Sequence, residues 1–591
     1  MYRGDSEPQL TVRAVIVGML LGALMCASNL YVSLKTGWSF GVTITAGVLA
    51  FALFSVLSTL GVVRREFGQL ENNAMQSVAS AAGYMTGGGT VAAIPALMLA
   101  THQNLPWHVM FFWITTIAML GVVMAIPMKR QMINQENLPF PSGIAAAETL
   151  RSLHAKGGEA MQRARVLVYC MFAAGGFKWL VSAHARWWPN LHLPESVGLP
   201  FAIHGIPAKR WTLELDFSAL LIAAGAIMGW RSAWSLALGA AVNYGVLAPW
   251  GHSVGAIRAV SLRGITGWTV WFGSSLLLTS GLLSFAFSWP QIKRAIGDPR
   301  KLFVTRPAGE DPVADIEVPM NWFAIGMLVL APLVIVLARV FFGIALWMGL
   351  VAIILSFFIA IVAARATGET DVTPTGALGK ITQLTFGVLA RGSVTTNLMT
   401  ANMSAGVAIH SADLLTDLKS GYILGAKPRQ QFYAQFFGVL AGAMLVVPAF
   451  RLMVPNWTVI GTPAAQAPGA LAWNSVAQVL ARGVSQLPTS ARYLILVGSV
   501  LGIALVLLER WFPSKKKYIP SATGFGLAFT MSASNSLAMF LGGLIALIVT
   551  RSRPVAAEKH IVPVSSGLIA GESIMGIVIA LLTRLGVLHA G

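Results

Sequence analysis

Several side chains able to do chemistry stand inside or beside long apolar runs. Glu572 lies near the middle of the run from 563 to 583. A charge at the centre of a bilayer costs roughly 2.5–3.5 kcal/mol on insertion scales, so a carboxyl there invites a functional reading. One reading is a protonatable group that carries a proton together with a solute. The other is a permanently protonated hydrogen-bond donor between helices. Glu148, on a short segment from Leu138 to Leu153, and Asp413, with Asp417 close by, are further candidates for proton coupling. Glu369 with Asp371 forms a similar acidic site. The competing reading for both acidic pairs is a solvated helix end.

Amides form the second group. Glu71-Asn72-Asn73-Ala74-Met75-Gln76-Ser77 opens a stretch rich in Asn, Gln, Ser and Gly that runs through Tyr84 to Gly87-Gly88-Gly89. Asn397 to Gly406, with Asn402 and Ser404, has the same character, and Asn535 lies in the uncharged stretch 518–550. An amide donates and accepts at once, which suits peptide bonds and carboxylates, and glycines allow a helix to unwind and offer its backbone to a ligand. Asn73, Gln76, Tyr84, Asn397, Asn402 and Asn535 are therefore expected to line a solute site. Close packing of small residues is the alternative for the glycines: Gly18/Gly22, Gly37/Gly41, Gly225/Gly229, Gly438/Gly442, Gly498/Gly502 and Gly567/Gly571 all have the small-xxx-small spacing.

The elements that must position these groups follow from composition. Of the 591 residues, 56% are apolar and 11% charged, whereas an ordinary soluble domain carries about 25% charged residues. Spanning about 30 Å of hydrocarbon takes about 20 mostly apolar residues in a helix. The clearest windows are 14–34, 39–60, 74–100, 107–127, 268–289, 321–338, 340–364 and 432–450. Less regular ones lie at 166–185, 215–230, 232–250, 381–408, 470–486, 493–508, 518–550 and 563–583. The fold class is thus an all-α integral membrane protein with about 16 transmembrane helices, some interrupted or re-entrant. The stretch 518–550 exceeds one span and carries Pro520, Gly524 and Gly526, which predicts a broken helix pair with Asn535 near the break. Leu138 to Leu153 is too short to cross and is expected to dip in and return.

The net charge of +19 brings no Lys/Arg stripe with interleaved aromatics, so nucleic acid is excluded as a partner. The basic residues sit mostly between apolar runs and read as topology signals: Arg64, Arg65, Lys129 and Arg130 put the N-terminus in the cytoplasm. Tryptophans near span ends, among them Trp107, Trp250 and Trp322, suit headgroup anchoring and contact with lipid. Cys26 and Cys170 lie in apolar segments and read as inert packing residues. No signal peptide is expected before the first span.

Repetition divides the chain into an N-terminal half, 1–288, a hydrophilic cytoplasmic linker, 289–319, and a C-terminal half, 320–591. Ser218, Leu221, Ile222, Ala223, Ile227, Met228 and Gly229 recur as Ser565, Leu568, Ile569, Ala570, Ile574, Met575 and Gly576. Asn73-Ala-Met is echoed by Asn397-Leu-Met, and Pro141-Ser142 by Pro520-Ser521. Basic residues precede both Pro-Ser elements, which favours parallel, pseudo-symmetric repeats about an axis along the membrane normal.

Enzyme signatures are missing: Gly87 to Gly89 lack the following Lys-Ser/Thr of a phosphate loop, and no histidine pair has zinc-protease spacing. His410 reads as a packing residue. Neither a metal site nor a cofactor is expected, the proton alone serving as coupling ion. An intramembrane enzyme and a passive channel are the less favoured alternatives to a secondary transporter.

Asn29-Leu30-Tyr31-Val32-Ser33-Leu34-Lys35-Thr36-Gly37, Glu71-Asn72-Asn73, Leu138-Pro139-Phe140-Pro141, Gly368-Glu369-Thr370-Asp371 and Asp413 to Lys419, in that order, resemble the oligopeptide transporter (OPT) family in its prokaryotic form. The resemblance runs from about Thr11 to about Gly586. It implies about 16 transmembrane helices and proton-coupled symport of oligopeptides or, in the yellow-stripe branch, of metal chelates. For a bacterial chain it implies the inner membrane. Peptide, glutathione-like thiol and metal chelate (siderophore or nicotianamine-like) all remain open as solute, and a homodimer is among the assemblies the sequence admits.

Overall fold

The computed structural model describes residues 7–588 apart from 38, 40, 62–64, 155–158, 184–193, 195, 288–315, 371, 372, 374, 484 and 486. Most of the linker, Asp371, Arg64 and Trp289 therefore lie outside the described residues. The first half of the chain forms α1 (Val12–Thr36), α2 (Thr43–Thr59), α3 (Gln69–Gly83), α4 (Ala93–Thr101), α5 (Trp107–Lys129), α6 (Pro141–His154), α7 (Glu159–Ser182), α8 (Ala219–Met228), α9 (Trp230–Val242), α10 (Ala248–Ser253) and α11 (Leu262–Phe287). The second half forms α12 (Met320–Phe342), α13 (Leu346–Thr370), α14 (Thr375–Leu389), α15 (Val394–Leu424), α16 (Pro428–Met453), α17 (Pro468–Arg482), α18 (Thr489–Trp511), α19 (Ala522–Leu527), α20 (Ala533–Ser552) and α21 (Pro554–Arg584). Two small antiparallel hairpins between α7 and α8, pairing Ser196–Gly198 with Glu214–Asp216 and Ala202–Ile203 with Ile206–Pro207, were not foreseen from the sequence.

Among the described residues, nine helices are long and apolar enough to cross a membrane: α1, α5, α7, α12, α13, α16, α18, α20 and α21. Interruption shortens several others. The window 74–100 is not one helix: α3 ends at Gly83, a 3-10 turn spans Tyr84–Gly88, and α4 begins only at Ala93. Gly89, at φ 125°, is what lets the chain turn there. The stretch 518–550 breaks between Leu527 and Ala533, and the Ser532 hydroxyl caps α20 by accepting from the Asn535 N–H at 3.2 Å. The window 381–408 is likewise two elements, since the chain turns between Leu389 and Val394. After that turn α15 runs 31 residues to Leu424, so Asp413 and Asp417 lie inside a buried helix and not at a solvated end.

Backbone freed at the breaks is satisfied by protein, as the bilayer interior demands. The Gln466 amide both donates to Ser532 Oγ (3.1 Å) and accepts from the Ser532 N–H (3.0 Å). The Ala533 N–H donates to Thr212 Oγ1 and the Ser534 N–H to the Thr212 carbonyl, at 3.0 and 3.1 Å.

Glycine spacing sets the helix contacts. Gly18 and Gly22 bring α1 onto α3, Gly438 and Gly442 bring α16 onto α3, Gly498 and Gly502 bring α18 onto α11, and Gly567 and Gly571 bring α21 onto α7. At each of these a Cβ would lie within 2.7 Å of a neighbouring helix. Gly37 and Gly229 differ: both sit at positive φ at helix C-termini, so neither belongs to a helix-packing stripe.

Two main apolar cores result. One, around Met85, Trp113, Phe140, Phe386 and Phe450, is built by α1 and α3–α5 with α12–α17. The other, around Trp211, Leu220, Tyr244 and Phe529, is built by α8–α11 with α18–α21. Each half of the chain thus contributes its first part to one bundle and its last part to the other.

Candidate functional site

Two cavities lie between these bundles. The larger, of about 970 Å³, is walled on one side by α13, α14, α15, α17 and the 84–93 break, and on the other by α9, α11, α18 and α19. The smaller, of about 290 Å³, is walled by α1, α2 and α15 against α7 and α21. Tyr84, Thr373 and Ile409 line both, so these three side chains form the partition. Tyr84 stands at the point where α3 unwinds.

The charges of the large cavity are mostly paired. Arg365 donates to Glu136 at 2.5 Å and to Glu369 at 3.4 Å, and Arg231 pairs with Glu509 at 2.7 Å, which also receives Lys516 at 2.6 Å. Farther in, Gly87, Gly89, Asn402, Gly469 and Trp473 line the same wall. Asn402 accepts from the Trp113 indole N–H at 2.7 Å, which fixes the rotamer of its amide. Apart from the Asn29 amide the small cavity is apolar and hydroxyl-lined, and among the described residues Asp413 is the only charged one that lines it. One carboxylate oxygen of Asp413 accepts from Ser80 Oγ at 2.8 Å; the other has no partner among the described residues. One turn on, Asp417 accepts from Gln435 at 2.7 Å, and its second oxygen is likewise unpartnered.

A profile of the OPT oligopeptide transporter protein family matches residues 9–583. The chain belongs to that family. The rice (Oryza sativa subsp. japonica) probable metal-nicotianamine transporter YSL10 is 26% identical, over 98% of this chain and 91% of its own length. The Saccharomyces cerevisiae protein YGL114W, named for oligopeptide transport, is also 26% identical, over 99% of this chain and 98% of its own length. The Arabidopsis thaliana probable metal-nicotianamine transporter YSL8 is 25% identical over 98% and 87%. These relatives are transporters, so this OPT protein is a multi-pass membrane transporter and not an enzyme.

Within this OPT transporter the six amide and tyrosine candidates separate. Tyr84 and Asn402 face the large cavity. Asn73 is sealed between α3, α15 and α16: it donates to Ser420 Oγ at 2.9 Å and accepts from Gln431 at 3.0 Å. Asn397 donates to the Gln383 carbonyl at 2.5 Å, and Asn535 to the Lys35 carbonyl at 3.2 Å; neither lines either of these two cavities. Gln76 is fully buried and its amide has no hydrogen-bond partner among the described residues.

The proton-coupling candidates separate too. Glu572 is buried, and its carboxylate accepts from Ser218 Oγ (2.7 Å) and from the Leu220 N–H (2.8 Å), at the N-terminus of α8. Lys35 and Asp216 lie within electrostatic reach of it. Glu148 lines neither cavity: its side chain is 59% exposed and pairs with Arg151 at 2.7 Å. Only the start of that helix approaches a cavity, through Ser142. Lys129, read from sequence as a topology signal, is buried in an ion pair with Glu317, whose backbone carbonyl accepts from Arg429 at 2.7 Å.

Sequence reasoning missed Lys380, Arg365 and Trp473, which line the large cavity. Arg365 and Lys380 flank the expected windows 340–364 and 381–408 by one residue, where a basic residue looks like a headgroup anchor. The helix turn at 390–393 that puts Lys380 inside was not legible.

Proposed function

We propose that the protein is a secondary active, proton-coupled symporter that carries a small peptide or a metal chelate through the large cavity, with the N-terminus in the cytoplasm. The observation that supports this most is the position of that cavity. It lies between two separately cored helical bundles and is lined by the interrupted stretches 74–100 and 518–550, where one bundle can rock against the other around a fixed site. Its volume of about 970 Å³ falls in the range of ~300–1,000 Å³ usual for small-molecule sites. Relatives named for metal-nicotianamine transport and for oligopeptide transport favour these two solute classes.

Asp413 is the coupling group that the geometry favours. It lines the small cavity, one of its oxygens is buried without a partner, no cation pairs with it among the described residues, and Tyr84 lines both this cavity and the solute chamber. Glu572 is held by two donors at a helix N-terminus, an arrangement that stabilises a fixed anion.

The test is uptake into proteoliposomes under an imposed inward proton gradient, using trialanine and nickel–nicotianamine. Wild-type protein should accumulate at least one of them above equilibrium, and Asp413→Asn should abolish accumulation while exchange without a gradient persists. Accumulation unchanged in Asp413→Asn would remove that residue from the mechanism. Flux that never exceeds equilibrium in the wild type would indicate a passive channel instead.

A further inference from the structure

Lys380 is the unexplained group of the large cavity. It lies near the start of α14, retains only 5% of its surface exposed, and lines the chamber. Among the described residues it has neither an ion pair nor a hydrogen bond, whereas the neighbouring cations are matched: Arg365 with Glu136 and Glu369, and Arg231 with Glu509. A buried ammonium without a counter-ion is strongly disfavoured, and an apolar side chain of similar size would fill the same space without that cost. Its surroundings bear on a ligand as well. Gly379 lets the Trp473 ring approach α14 closely, since a Cβ there would come within 2.8 Å of the ring. Trp473, Asn402 and Gly89 add an aromatic ring, a fixed amide and a glycine to the cavity wall.

From this arrangement we infer that Lys380 is the carboxylate-binding residue of the solute site, so that the cargo carries an anionic group. The inference rests on the transport reading above and narrows it. Lys380 supplies the charge that the solute brings no partner for, and Asn402 and Trp473 meet the uncharged part. A free peptide C-terminus and a chelator carboxylate share this chemistry, and both would be recognised. A peptide blocked as its amide would lose the ion pair and keep the remaining contacts.

The experiment measures binding to the full-length protein in detergent. Trialanine is compared with trialanine amide, and nickel–nicotianamine forms a separate arm, for wild type, Lys380→Gln and Lys380→Arg. Wild type should prefer the free acid at least ~10-fold, the order of a single charge-assisted hydrogen bond. Lys380→Gln should erase the preference by weakening the acid alone, and Lys380→Arg should restore part of it. Loss of affinity for nickel–nicotianamine in Lys380→Gln, with peptide binding absent throughout, would assign the carboxylate to the chelate. An unchanged acid-to-amide ratio in Lys380→Gln, or unchanged chelate affinity if only the chelate binds, would overturn the assignment.

A second measurement does not depend on the solute class. Amine-reactive labelling of Lys380, read by peptide mass mapping, should be slowed by sodium acetate and not by acetamide. Equal effects of the two would overturn the anion site even in a protein that transports. Failure of the wild type to bind any solute, with acetate protection intact, would instead count against the transport reading alone and sustain the anion site.

Discussion

Glu572 and Asp413 are both buried carboxylates, yet their partners differ, and the proposed function gives them opposite tasks. Glu572 receives a hydroxyl and a backbone N–H at the start of α8, with Lys35 close enough to interact. Charge-assisted bonds of this kind contribute about 1.5–3 kcal/mol, and the helix terminus adds to them. Glu572→Gln is therefore expected to lower stability by ~1–2 kcal/mol, because the amide keeps one acceptor but turns a donor toward the Leu220 N–H or Ser218. Thermal unfolding in detergent checks this, and proton-driven uptake by the surviving protein should persist. Asp413 has the reverse profile. Its environment holds one oxygen and leaves the other bare, so a neutral asparagine fits the site structurally while removing the proton it could carry.

At the scale of elements, function depends on where helices stop. Tyr84, Gly87 and Gly89 reach the chamber because α3 unwinds after Gly83, and the chain reaches α4 through a backbone conformation that L side chains rarely adopt. A Cβ on Gly89 would lie 2.7 Å from Asn402 Nδ2 and 2.9 Å from its Oδ1. Gly89→Ala should thus cost about 1–3 kcal/mol of strain and push Asn402 off the Trp113 indole. The expected outcome is a lowered melting temperature together with reduced solute uptake; Gly61→Ala, also at positive φ but with open space around it, separates backbone strain from displacement of Asn402. Tight helix pairs such as α1 with α3 and α11 with α18 are set by the small-residue stripes and give the bundles their rigidity.

For the whole molecule, the decisive feature is that the bundles do not coincide with the two halves of the chain. Helices α1 and α3–α5 pack with α12–α17, and α8–α11 with α18–α21, so each bundle is assembled from segments hundreds of residues apart. Both cavities lie along the seam. If the bundles rock, access to the chamber changes from one side to the other while its lining persists. With Cys26 and Cys170 replaced by alanine, single cysteines at Ser284 and Ala366, one on each side of the large cavity, report this. A membrane-impermeant maleimide should label both from the same side, and a transported solute should slow both. Labelling of the two positions from opposite sides would contradict a shared chamber.

What the sequence determined by itself is what the bilayer enforces locally. Length and hydropathy fix a multi-pass helical protein, because backbone groups in hydrocarbon must be paired within the segment. Small-residue spacing marked close packing at four of its six glycine pairs, and the excess length of 518–550 implied a break near Asn535. Tertiary structure alone decided which polar groups meet a cavity. Asn73, Asn397 and Asn535 carry the same side chain as Asn402, but their amides are taken up by protein partners, two of them more than 300 residues away. The depth of Asp413 depended on α15 continuing to Leu424, and the isolation of Lys380 on what its neighbours paired with. Helical phase and long-range pairing are properties of the packed bundle, and no local window of residues contains them.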